Sequence, residues 1–239
     1  MEFKVLTKEE INKAISDEII ELVNSKKDTI LGLATGSSPL GVYHNLVEAC
    51  KDKKVSFKNV RTFNLDEYVG LDIESDQSYR YFMNHNLFDL IDIDKNNTRV
   101  PEGKGDYVKA ASEYDVLIAK AGGVDLQVLG IGSDGHIAFN EPGTPLDSLT
   151  HVAELAESTI KDNARFFNSI DDVPTKAVSM GLASIMKSRR IVLIATGKNK
   201  AQAIKALKEC KAPYVDLPCS VLVNHPNCTI YCDSEAFGE

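Results

Sequence analysis

Short apolar runs alternate with longer amphipathic stretches along most of this chain. Thr29 to Ala34 (T-I-L-G-L-A), Val60 to Leu65, Val124 to Leu129 and Ile191 to Thr196 (I-V-L-I-A-T) are brief and mostly apolar, as strands covered on both faces are. Phe3 to Leu6 and Cys228 to Cys232 are further strand candidates, and Thr150 to Ala156 alternates weakly, like an edge strand. Ile11, Ile15, Ile19, Leu22 and Val23 recur at helical spacing behind Thr7, and Glu10, three residues on, completes a capping box. The same reading predicts helices at Leu40 to Cys50, Gln77 to Leu90, Asp106 to Lys120, Lys161 to Phe167, Leu182 to Lys187 and Lys198 to Cys210. Val178 to Gly181 reads as extended, and Leu217 to Asn224 as a helical turn. Strands that alternate with helices predict an α/β fold. The expectation is one domain over residues 1–239, a Rossmann-like three-layer sandwich with a mainly parallel sheet and helices on both faces.

Composition narrows the partners. A formal net charge of −8 leaves no excess of Lys and Arg for a phosphate backbone, so nucleic acid is not the expected partner. An anionic small molecule would need a local basic cluster or a helix N-terminus. No run approaches the roughly 18 apolar residues of a membrane span, and the N-terminus lacks a secretory pattern, so a cytoplasmic protein with no membrane contact is expected. Five cysteines (Cys50, Cys210, Cys219, Cys228 and Cys232) read as free thiols. Cys228 and Cys232 stand near His225, but C-T-I-Y-C has the pattern of a strand with both thiols on one buried face, and no second ligand pair has metal spacing. No metal is expected.

Four apolar strands end in sequence suited to chemistry, and ligands in an open parallel sheet sit beyond the carboxyl ends of the strands. The first runs into T-G-S-S-P, where Gly36, Ser37 and Ser38 offer N–H and hydroxyl donors ahead of a helix. An ordinary strand–helix turn would look similar, and neither a Walker loop nor a dinucleotide fingerprint is present. The second runs into N-L-D-E-Y, setting Asp66 and Glu67 just past a strand, where a carboxylate can be held rigidly as a base or can serve as a helix cap. The third is L-G-I-G-S-D-G-H-I-A-F-N-E, which puts Asp134, His136 and Glu141 on a Gly-rich turn. His titrates near neutrality and carboxylates can orient it, while Asp and Gly are also common turn formers. The fourth, A-T-G-K-N-K, places Lys198 and Lys200 at a helix start, against the helix dipole, which a bound anion would relieve. Arg165, in N-A-R-F-F, suits bidentate phosphate binding or a surface ion pair.

Together, T-G-S-S-P, F-N-L-D-E-Y, G-I-G-S-D-G-H-I-A-F-N-E, N-A-R-F-F, G-K-N-K-A and S-x-L-x-x-H (Ser220 to His225) resemble the glucosamine-6-phosphate deaminases, collinearly from about residue 30 to 232. The resemblance implies conversion of a small sugar phosphate, D-glucosamine 6-phosphate, to D-fructose 6-phosphate and ammonia, with no cofactor. It implies Asp66 as the base moving a proton between C2 and C1, His136 as the ring-opening group, and Asp134 and Glu141 as its supports. It also implies a phosphate seat at Gly36, Ser37, Ser38, Arg165 and Lys200.

Larger members that this chain resembles bind an allosteric activator, N-acetylglucosamine 6-phosphate, through basic residues after the active-site Glu. Here Pro142 to Ile160 contains no Lys or Arg, so no such activation is expected, and a monomer or small homo-oligomer is. Residues 142 to 175, with three prolines and weak periodicity, are the expected cover of the site. Two rival readings are a 6-phosphogluconolactonase, which needs no carbon base, and a non-catalytic sugar-phosphate sensor. The intact acid and base set argues against both.

Overall fold

The computed structural model describes residues 1–164 and 167–238. Strands β1 (Glu2–Val5), β2 (Ile30–Leu33), β3 (Arg61–Asn64), β4 (Asp66–Tyr68), β5 (Thr98–Arg99), β6 (Leu126–Leu129), β7 (His151–Glu154), β8 (Lys176–Ser179), β9 (Arg190–Ala195) and β10 (Cys228–Cys232) alternate with helices. The helices are α1 (Lys8–Ser25), α2 (Leu40–Lys51), α3 (Tyr79–Met83), α4 (Tyr107–Ala121), α5 (Glu157–Asn163), α6 (Leu182–Met186), α7 (Ala201–Glu209) and α8 (Ser234–Phe237). Seven strands form one sheet in the order β1-β10-β9-β6-β2-β3-β5, and every pairing in it is parallel.

Residue alternation along each strand divides the core into two layers. Leu31, Leu33, Leu126, Val128, Val192 and Ile194 face α1 and α2. Ile30, Phe63, Leu129, Ile191, Leu193, Cys228 and Ile230 face α4, α6 and α7. The expected three-layer α/β architecture is therefore present. From β2 the chain moves outward through β3 to β5, and from β6 it moves the other way through β9 to β10. The crevice between the carboxyl ends of β2 and β6 is thus the switch point at which open α/β sheets bind ligands.

Local signals place several elements well. Thr7 and Glu10 form the reciprocal capping box of α1, and Asp106 caps α4, which ends at Gly122 with φ +113°. Other expectations need correction. Asp66 stands just past β3, as expected, but its strand role is new. It opens a second, antiparallel sheet of β4, β8 and β7, in which Asp66 pairs with Ser179. The helix expected from Gln77 to Leu90 is α3 followed by a π-helical turn over Asn84–Phe88, because Ser78 and the buried Glu67 carboxylate cap its start. The helix expected at Lys161 to Phe167 is α5, which starts earlier, at Glu157. Short β5 was not expected, since two residues carry no periodicity. The Leu217 to Asn224 turn is a 3-10 helix over Pro218–Asn224.

Candidate active site

The turn after β6 is built by glycine. A β-carbon on Gly132 would lie 2.3 Å from the His136 ring, and one on Gly135 (φ +88°) would lie 2.4 Å from Leu217 Cδ1. Only glycine lets the backbone pass this close beneath the imidazole. Gly132 N–H donates to His136 O (2.9 Å), closing the turn. The next residues are clamped to the small sheet. Asn140, fully buried, donates from Nδ2 to Ile137 O (2.9 Å) and Met180 O (2.8 Å), and Phe139 N–H donates to Ser179 Oγ (3.1 Å). Since β8 pairs with β4, this clamp carries the His136 turn to Asp66.

His136 Nδ1 lies 2.7 Å from Asp134 Oδ1, which also accepts the His136 backbone N–H (3.1 Å). The ring contact is off the line of the N–H bond, so it is an ion pair before it is a hydrogen bond. Glu141 Oε2 stands 3.5 Å from the same nitrogen. Burial works to depress the proton affinity of His136, but the close Asp134 carboxylate and then the charge of Glu141 outweigh it and raise the pKa, with Lys200 opposing. Burial likewise works to raise Asp134, yet the imidazole holds its carboxyl down at about 2. One donor atom from each of Asp134, His136 and Glu141 lies within 4.8 Å of the others, a spacing a cation could bridge. The ring nitrogen facing both carboxylates is already their ion-pair partner, so we read the group as a charge-paired imidazole.

Asp66 is 7% exposed. Burial is the main reason its pKa climbs to about 8; the neighbouring Glu67 charge adds to the rise and the charge of His136 pulls it back. Glu67 itself accepts backbone N–H groups from Tyr68, Tyr79 and Arg80, each at 2.9 Å, and so anchors α3. Tyr68, Tyr79 and Phe139 form an aromatic wall beside these carboxylates, with ring centroids 4.9–6.1 Å apart.

Gly36 (φ +86°) and Ser37 are exposed ahead of α2, a helix with no side-chain cap and no acid in its first turn. Tyr43 Oη donates to Ala34 O (2.5 Å) and pins this turn to the end of β2. Ser38 Oγ lies 3.8 Å from where a β-carbon on Gly130 would stand, so the β2 and β6 turns adjoin. Lys200 follows Gly197, whose N–H is held by Asp233, and the Lys200 charge reaches His136. Among the sequence-nominated residues, Asp66, Asp134, His136, Glu141, Gly36, Ser37, Ser38 and Lys200 all stand at the carboxyl end of the sheet or on the turns that follow it. Arg165 lies outside the described residues.

The supports were harder to foresee. Asn140 and Glu67 sit inside motifs noted for their neighbours, but Ser179 and Thr159 give no local signal. Thr159 Oγ1 donates to Glu141 Oε1 at 2.5 Å. His225 is a structural residue: Nε2 meets Ser188 O at 2.8 Å and Nδ1 accepts from Asn227 N–H at 3.1 Å. A cavity of about 680 Å³ lies at the opposite, amino end of the sheet. Its charges pair with one another, Arg190 with Glu18 (2.6 Å) and Arg189 with Asp125 (3.2 Å), whereas the charges at the carboxyl end converge on one imidazole.

Comparison with known proteins agrees with this geometry. The family model for glucosamine-6-phosphate isomerases/6-phosphogluconolactonase matches residues 5–231. A glucosamine-6-phosphate deaminase of Clostridium tetani is 49% identical over 237 residues, covering 98% of each chain. One of Thermoanaerobacter pseudethanolicus is 49% identical over 229 residues, 95% of this chain and 90% of the relative. The solved structure of a monomeric glucosamine-6-phosphate deaminase superposes with a TM-score of 0.97 at 40% identity, covering 100% of this chain and 99% of that one. A 6-phosphogluconolactonase of Thermotoga maritima shares the fold, with a TM-score of 0.77 at 22% identity over 97% of this chain and 98% of its own. This chain belongs to the glucosamine-6-phosphate isomerase/6-phosphogluconolactonase family.

Proposed function

We propose that this protein converts D-glucosamine 6-phosphate and water to D-fructose 6-phosphate and ammonia. The observation that carries the reading is the buried Asp66 carboxyl, held at one strand end where it feels the charge of the paired His136. Lactone hydrolysis has no use for a carbon base there, and relatives named as deaminases are 40–51% identical, against 22% for the Thermotoga maritima lactonase.

Because Nδ1 of His136 is turned to Asp134 and Glu141, Nε2 is the nitrogen left to meet the sugar. His136 passes a proton from the O1 hydroxyl to the ring oxygen, which opens the pyranose to the aldehyde. Asp66, ionised, takes the C2 proton to give an enolamine and returns that proton to C1. One carboxylate that reaches both carbons suffices, and its raised pKa matches a base working near neutral pH. C2 is left as an iminium. Water adds there, ammonia leaves, and the ketone of fructose 6-phosphate remains. The phosphate rests on the Gly36–Ser38 turn at the open N-terminus of α2, with Lys200 and Arg165 supplying charge, an anchor whose binding energy positions the reacting carbons.

The protein acts as a monomer or small homo-oligomer in the cytoplasm. A monomeric relative of near-identical length and five cysteines carried as free thiols support this. Release of ammonia from glucosamine 6-phosphate in a coupled assay is the expected result. Hydrolysis of 6-phosphogluconolactone without ammonia release would overturn the reading.

A further inference from the structure

Glu141 receives two donors on one oxygen. Thr159 Oγ1 donates to its Oε1 at 2.5 Å, and the Ala156 backbone N–H reaches the same oxygen at 3.4 Å. Both come from the start of α5, 15 and 18 residues along the chain from Glu141. The other oxygen, Oε2, is buried, makes no hydrogen bond, and is the one standing 3.5 Å from His136 Nδ1. The carboxylate therefore has one side fixed to the start of α5 and its other side turned to the imidazole. Thr159 is only 7% exposed, so its hydroxyl is not a solvent group that happens to lean on an acid.

From this geometry we infer that Thr159 is a positioning residue, whose hydroxyl sets the Glu141 carboxylate plane so that Oε2 faces the His136 imidazole. The physical reason is rotational. A carboxylate held at a single oxygen by a short hydroxyl hydrogen bond loses freedom about its terminal torsion, which is otherwise broad. Without the hydroxyl, the remaining donor at 3.4 Å is too long to hold that torsion. The imidazolium would then keep Asp134 but lose a constant second counter-charge. The groups facing His136 are Asp134 and Glu141 on its own turn, Asp66 on β4 and Lys200 before α7. Asp134 and Glu141 act to hold the proton and Lys200 to expel it. Loss of Glu141 alignment therefore lowers the proton affinity of His136.

The catalytic consequence rests on the deaminase reading, but the positioning does not, so two readouts separate them. NMR titration of the His136 ring in the T159V and T159S variants tests the positioning directly, with Val matching the shape of Thr and Ser retaining the hydroxyl. We expect T159V to lower the His136 pKa by about half a unit, and T159S to restore it. In the ammonia assay, T159V should lower kcat roughly 10-fold with little change in KM, as loss of a hydrogen bond to a charged group predicts, and T159S should recover most of the rate. A His136 titration unchanged in T159V, or a T159S variant as impaired as T159V, would refute the role. Should T159V fail to fold, T159S must by itself keep the native His136 pKa and rate; a loss of either refutes the role equally. If neither the native protein nor the variants release ammonia while the titration shifts as expected, the deaminase reading fails and the positioning of Glu141 stands.

Discussion

Asp66 is the residue whose environment does most to define the chemistry. Replacing it with Asn keeps the shape and removes the carboxylate proposed as the base. D66N is expected to abolish exchange of the C2 proton with solvent and the release of ammonia, while substrate binding, anchored through the phosphate, persists; isotope exchange and a binding titration check this together. The same variant has a stability signature. A carboxyl in the unfolded chain titrates near 3.8, whereas the folded protein holds the Asp66 proton to about 8. Between these values the folded state binds more protons than the unfolded one, so this group favours folding less and less as pH rises. Asn carries no such cost. D66N should therefore melt above the native protein, by a margin that grows from pH 5 to pH 8, at roughly 2–4 °C per kcal/mol for a chain of this size. A margin independent of pH would contradict the buried, neutral carboxyl. His136→Gln, by contrast, should impair the ring-opening step most, so that open-chain substrate suffers less than the pyranose in a rate comparison.

At the level of elements, the His136 turn and the β4–β8–β7 sheet work as one unit. Asn140 is the fastener, with one amide group donating to carbonyls on both sides of the joint. Asn140→Ala would leave the Ile137 and Met180 carbonyls without that donor in a buried setting. The expected cost is about 2–3 kcal/mol, a fall of roughly 5–10 °C in melting temperature. An unchanged melting curve would mean that the clamp contributes nothing. Ser179 accepts the Phe139 N–H in the same joint, and the π-helical turn after α3 continues from a helix start fastened by Glu67. Asp66 and His136, the proposed carbon base and ring-opening group, thus belong to different elements joined through a small antiparallel sheet.

For the whole molecule, the wide parallel sheet sets a crevice between β2 and β6, and the segment after Glu141 forms β7 and α5, whose start meets Glu141 through Ala156 and Thr159. That segment carries no cation from Pro142 to Ile160, so no anionic effector has an obvious seat there. Rate against glucosamine 6-phosphate concentration should be hyperbolic, and N-acetylglucosamine 6-phosphate should not alter the curve. A sigmoidal curve made hyperbolic by that compound would overturn the expectation. Among the described residues no helix is long and apolar enough to cross a membrane.

Periodicity alone determined the main sheet and most of its helices, because a strand covered on both faces and a helix with one apolar stripe each leave a local pattern in the chain. Glycine punctuation marked the turn that bears Asp134, His136 and Glu141, since only glycine fits where Gly132 passes under the ring. What local pattern could not supply was pairing between distant segments. Asp66 stands just past one strand, as its sequence predicts, but it is also the head of another, which local pattern could not show because its partner Ser179 lies over a hundred residues away. Helix α5 starts earlier than its own residues suggest, where Ala156 and Thr159 meet Glu141. The proton affinities of Asp66 and His136 were likewise decided by burial and by charges from other elements, and these exist only once the chain has folded.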